Sequence, residues 1–160
     1  MNILNNLNNR LTIDSKGIVP GGEEDIKEVI EESPIQLPED YLNFLHMISG
    51  NKGVGISFLV DQDVNPNSTL TIFIWSAGIS LEKLEELSEV IPDDEFWDNA
   101  WMIGDDLGDF VYYYAVGKEG FGLYRQEVGI YCIEEADKIA DSLTDLLVNG
   151  VGIDVAITYP

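Results

Sequence analysis

The sequence predicts an α+β fold, an antiparallel β-sheet flanked by N-terminal and C-terminal helices. Apolar residues recur at helical spacing in residues 23–50, 80–90 and 133–148, with helix start and stop signals around them. Short β-rich runs with tight connections fill residues 100–132, as antiparallel neighbours require. The order is therefore helices, then mostly consecutive strands, then a helix. The 160 residues, 45% apolar and 24% charged, suit one domain over residues 1–160 whose core needs neither disulfide nor metal.

Residues 1–22 admit two readings. Ile3, Leu7 and Leu11 could line a short helix, against which five asparagines count, or Leu11 to Val19 forms a strand. Pro20-Gly21-Gly22 reads as a loop. Glu23 to Glu32 is a helix with Glu23, Glu24 and Asp25 in its first turn, where the dipole favours anions. Pro38 opens a second helix, with a stripe of Tyr41, Phe44, Leu45 and Ile48, and Gly50 terminates it.

Ile56 to Val60 and Leu70 to Trp75 read as strands, the second central because both its faces are apolar. A loop over residues 61–68 joins them. Ser80 caps a third helix to about Val90, and Pro92-Asp93-Asp94 breaks it. Ala100 to Ile103 and Asp109 to Val116 flank a turn at Gly104 to Gly108. A hairpin loop at Gly117 to Gly120 returns the chain along Phe121 to Arg125, and Val128 to Cys132 adds a short strand. A fourth helix spans Ile133 to Val148 and ends at Asn149-Gly150. Val151, Ile153, Val155, Ile157 and Tyr159 then alternate with smaller groups, which predicts a half-buried strand. That strand pairs with residues 11–19 of its own chain or across a dimer, so the chain is a monomer or a weak homodimer.

Thirty Asp/Glu against eight Lys/Arg give a net charge of −22. Nucleic acid is repelled, and so is an anionic membrane surface. A basic protein is the natural partner, because complementary fields raise association rates; the same acidity also serves solubility alone. No apolar run is long enough to span a bilayer, and the asparagine-rich N-terminus lacks the pattern of a secretory signal. A cytoplasmic location is the expectation.

Catalytic and metal chemistry find little support. His46 is the single histidine, so no two-histidine metal site fits within one chain. Cys132 is the single cysteine, which excludes an internal disulfide and multi-cysteine zinc sites, and its apolar neighbours suit packing. Gly117 to Gly122 lacks the Lys-Ser/Thr ending of a phosphate loop. Asp105, Asp106 and Asp109 crowd one turn, but the spacing does not match a calcium loop. Their carboxylates can bond the local backbone or face a partner. No cofactor, no metal and no enzymatic activity are expected.

Three segments together resemble the SMI1/KNR4 family of the SUKH superfamily. Leu37-Pro-Glu-Asp-Tyr-Leu-Asn-Phe-Leu45 with Ser49-Gly50-Asn51 is similar to its Leu-Pro-x-x-Tyr-x-x-Phe-Leu helix and closing turn, with the Gly and Asn order reversed. Trp101-Met-Ile-Gly-Asp-Asp-Leu-Gly-Asp109 resembles its Ile-Gly-x-Asp-x-x-Gly-Asp strand–turn–strand, with one residue fewer before Gly108. Ile139 to Leu147 resembles its terminal Ala-x-Ser-Phe-x-x-Phe-Leu helix, with Leu at both Phe positions. The likeness covers about residues 22–149, leaving residues 1–21 and 151–159 as additions. It implies an α+β fold and binding rather than chemistry. Many bacterial members look like cytoplasmic immunity proteins that bind polymorphic toxins, often nucleases; fungal members are regulators tied to cell-wall synthesis. An acidic surface of Asp93, Asp94, Glu95, Asp98, Asp105, Asp106 and Asp109, with Trp97 and Tyr112 as anchors, is the candidate partner-binding site.

Overall fold

Among the described residues, seven antiparallel strands pair in chain order to form the central sheet. The computed structural model describes residues 2–61, 70–91 and 94–157; most of the predicted 61–68 loop, Asp93 and Tyr159 lie outside them. The strands are β1 (Leu11–Ile13), β2 (Gly55–Val60), β3 (Leu70–Trp75), β4 (Ala100–Asp105), β5 (Phe110–Gly117), β6 (Gly120–Glu127) and β7 (Asp137–Ala140). The helices are α1 (Glu23–Glu32), α2 (Glu39–Leu45), α3 (Ala77–Val90), α4 (Asp94–Trp97), α5 (Leu143–Leu147) and α6 (Ile153–Ala156).

Alternation along the strands divides the apolar residues between two faces. Ile56, Phe58, Ile72, Ile74, Ile103, Tyr112, Tyr114 and Leu123 pack with residues of α1, α2, α5 and α6 on the first face. Trp75, Met102, Val111, Tyr113 and Tyr124 pack with Phe96 of α4, Tyr131 and Ala136 on the second. The Tyr112-Tyr113-Tyr114 run thus feeds both cores, as β-propensity with two-sided packing requires.

Polar groups inside the first core tie its helices together. The Trp101 indole donates to the Tyr41 hydroxyl at 3.2 Å. The Tyr114 hydroxyl accepts the Leu143 N–H at 3.1 Å, at the start of α5. Asp40 accepts the Thr144 N–H at 3.0 Å and the Thr144 hydroxyl at 2.7 Å, joining α2 to α5 across 104 residues of chain. Burial pushes the Tyr41 hydroxyl up to about 12, and burial likewise raises Tyr113 and Tyr114 above the ordinary value.

Four expectations are corrected. The predicted helix over residues 133–148 is a short 3-10 turn at Ile133–Glu135, then β7, then α5. Its helical spacing arises from a change of face along the run: Ile133 and Ala136, of the 3-10 turn and its end, serve the second face, and Ile139 of β7 with Leu143 and Leu147 of α5 serve the first. Ser142 caps α5 by accepting the Asp145 N–H at 3.1 Å, so a helix start lay inside the periodic run. The predicted strand at Val128–Cys132 is a turn and an extended segment, with Gln126 accepting the Cys132 N–H and donating to its carbonyl.

The predicted tail strand instead contains α6. Gly152 adopts φ +81, and a Cβ there would meet the Ile139 carbonyl at 1.9 Å, so only glycine lets α6 start against β7. Ile153 and Ala156 then face the core while Val155 is exposed, which breaks the alternation. Residues 11–13 pair with β2 rather than with the tail. Finally, α3 starts at Ala77, capped by the Ser76 hydroxyl; Ser80 is interior and donates to the Met102 carbonyl at 3.4 Å.

Replacing Asp40 with Ala strands the Thr144 donors and costs about 2–3 kcal/mol. Thermal melting should fall by roughly 5–10 °C, whereas Asn43→Ala, on the exposed side of the same helix, should shift it by no more than about 2 °C. The raised tyrosines set an alkaline limit. They hold their protons to higher pH in the folded chain, so their contribution is complete below the ordinary value of 10.0 and is lost as pH climbs through the folded values. Tyrosinate absorbance should show these hydroxyls ionising late and together with loss of tertiary circular dichroism, and Tyr41→Phe should move that loss to higher pH.

Candidate functional site

The acids singled out in the sequence fall into two groups. Asp105 and Asp106 build the turn between β4 and β5. Asp105 accepts the Trp75 indole N–H at 3.2 Å and the Leu107 N–H at 2.9 Å. Asp106 is buried and accepts the N–H groups of Gly108 at 2.8 Å and Phe110 at 3.1 Å. These carboxylates satisfy local backbone donors that the tight turn leaves open. Leu107, which follows them at φ +61, projects into solvent, and Asp109 is exposed.

The second group lies at the other end of β4. Glu95 and Asp98 are exposed, and Asp94 opens α4. Trp97 is half-buried, with its indole donating to the Ile91 carbonyl at 2.9 Å. The six residues of β4 separate Asp98 from Asp109 by roughly 20 Å. The described members of the predicted patch are thus two small acidic sites. Tyr112 is corrected outright as a surface anchor: it is 1% exposed and donates to the Ala156 carbonyl at 3.2 Å, beneath α6.

A larger acidic feature was missed. Helices α1 and α3 run side by side, and the groove between them, about 620 Å³, is lined by Asp25, Glu28 and Glu32 from one helix and Glu82 and Glu85 from the other. Leu81 and Leu84 form its floor. No lysine or arginine lines it among the described residues; Lys83 turns instead to Glu86 at 3.4 Å. The signal was present as acids three and four apart on each helix. Their meeting across a groove depends on helix packing, which neither helix encodes alone.

A separate cavity of about 380 Å³ opens between α4, the end of β5 and the Tyr131–Glu134 segment. Phe96, Tyr131, Val116 and Ile133 supply apolar wall, and Glu95, Asn99 and Glu134 supply polar groups. Cys132 also lines it, half-buried. His46 is half-exposed, with Nδ1 3.8 Å from a Glu23 carboxylate oxygen. Among the described residues no three His, Cys, Asp or Glu side chains converge as metal ligands. No described helix is long and apolar enough to cross a membrane.

The three family-like segments meet in the first core. Leu37, Tyr41, Phe44 and Leu45 come from the first, Trp101 and Ile103 from the second, and Ile139, Leu143 and Leu147 from the third. Gly104 of the second segment lies so close to β3 that a Cβ would meet the Phe73 carbonyl at 2.1 Å. The model of the SMI1 / KNR4 family (SUKH-1) matches residues 20–149. The chain belongs to this family. The match begins at Pro20 and ends at Asn149, so β1 and α6 lie outside the SMI1/KNR4 region. Among curated proteins no match is found. SMI1/KNR4 members bind partner proteins, which directs attention to surfaces rather than to a reaction centre.

Facing carboxylates in the α1–α3 groove repel one another through a short Debye length, so salt should stabilise the free protein. Converting Asp25, Glu28, Glu32, Glu82 and Glu85 to their amides should raise stability at low salt by about 1 kcal/mol. Thermal melts across a sodium chloride series should also show a flatter salt response for that variant.

Proposed function

We propose that this SMI1/KNR4 domain is a non-catalytic, cytoplasmic immunity protein that neutralises a basic toxin of the nuclease type through its acidic surface. Family membership supports the binding role. The observation that carries the toxin's chemistry is the α1–α3 groove, five carboxylates over a leucine floor with no lining cation among the described residues. A nuclease holds phosphates with Lys and Arg, so its substrate surface is cationic. A groove of the opposite sign steers that surface into contact, and the seated protein then blocks nucleic acid from the same cations. Leu81 and Leu84 offer apolar contact that slows release.

The test begins with affinity capture of the tagged protein from its own cells and from close competitors, at low and high salt. A basic nuclease retained under both conditions, whose cleavage the domain inhibits, supports the reading. A resident wall-synthesis protein in its place would assign the domain to regulation instead. With the captured nuclease in hand, the five-amide groove variant should associate about 10–100-fold more slowly at low salt. The difference should shrink as salt rises, and stopped-flow mixing measures both. An unchanged on-rate would remove the groove from the interface.

A further inference from the structure

We propose that the cavity beside α4 is a socket for one arginine side chain of the basic partner, a reading that rests on the partner being basic as proposed above. The cavity is about 380 Å³ and partly enclosed by packed aromatic residues. Phe96 and Tyr131 meet there at 5.2 Å between ring centroids, and Phe96 is wedged against Tyr113 at 5.0 Å, so the floor is held rigid by the second core. Val116, exposed at the end of β5, forms a side wall. Glu95 and Glu134 contribute exposed carboxylates from opposite segments.

The cavity sets an apolar wall beside polar and anionic groups, and no lysine or arginine lines it among the described residues. A phosphate or carboxylate ligand would meet the like charge of Glu95 and Glu134 and no counter-charge among the described residues. A purely apolar side chain would leave both carboxylates without a counter-charge. Arginine satisfies both parts: its aliphatic stem lies along apolar wall, and its planar guanidinium pairs with carboxylates and stacks on aromatic groups. Asn99 adds a polar side chain, although its amide N–H donates to the Glu95 carbonyl at 2.7 Å, which leaves the side-chain oxygen as acceptor for a guanidinium N–H. The whole-chain charge of −22 favours approach of such a group from any direction. The α1–α3 groove then accounts for steering, and the socket accounts for a specific anchor.

The probe is the capped tripeptide Gly-Arg-Gly, with Gly-citrulline-Gly as its neutral near-isostere. In amide NMR titrations the arginine peptide should shift Glu95, Asn99, Val116 and Glu134 in a saturable way, and the citrulline peptide should not. Cys132 is the sole cysteine and lines the cavity, so the arginine peptide should also slow its reaction with a thiol reagent. Glu95→Gln with Glu134→Gln should weaken the peptide at least tenfold, and Val116→Trp, placed on an exposed strand position, should abolish binding by filling the mouth. If the tryptophan variant fails to fold, the double amide variant decides. Equal shifts from both peptides, or shifts confined to the α1–α3 groove, overturn the socket. Capture separates the two readings. A basic nuclease held equally by wild type and the socket variants overturns the socket and leaves the immunity reading standing. If no basic protein is held, that reading fails, and the peptide titration still decides whether the cavity takes arginine.

Discussion

A sheet with apolar side chains on both faces has to be covered on both faces, and the chain supplies two unequal covers. On the first face α1, α2, α5 and α6 bury a continuous apolar core. On the second, the short α4 and the segment carrying Tyr131 and Ala136, with Ile79 and Leu87 of α3 beside them, do the same work with fewer buried residues. Large aromatic rings make that economy possible: Phe96 alone packs edge-on against Trp97 and Tyr113 at 5.0 Å each. The thinner cover also leaves a gap beside Tyr131, and that gap is the cavity.

The same constraint explains where sequence reading succeeded and failed. Helix α1 matches its predicted bounds, and β2, β3, β5 and the β5–β6 hairpin were legible, because each has one period, one environment and clear end signals. The 133–148 run was misread because its apolar residues serve two faces in succession, which mimics one helical stripe. Residues 151–159 alternate in hydropathy, yet the left-handed Gly152 and close packing on Ile139 set a helical turn there. In both places tertiary contacts outweighed local pattern.

The candidate site was less legible than the fold for a related reason. Charge alone pointed to a basic partner, but charge in sequence carries no position. The Asp105–Asp109 cluster is dense along the chain, and two of its three acids are spent on the turn itself. The α1 and α3 acids are dispersed over sixty residues, and packing brings them together. Density along a chain tends to reflect what a loop needs, since neighbouring acids find neighbouring amides. Density in space, where no backbone donor competes for the oxygens, is left for a partner.

The residues by which the family-like segments pack together and the residues exposed to a partner are largely different sets. Tyr41, Trp101, Gly104 and Leu143 are buried and fix how α2, β4 and α5 meet. Glu28, Glu32, Glu82, Glu85, Glu95 and Glu134 are exposed. Groups separated in this way contribute to stability nearly independently. A substitution in the groove or socket therefore leaves the core network intact, and one core can carry many surfaces. That independence lets the exposed acids vary with whatever surface they meet while the Asp40–Thr144 and Tyr41–Trp101 contacts continue to hold the fold.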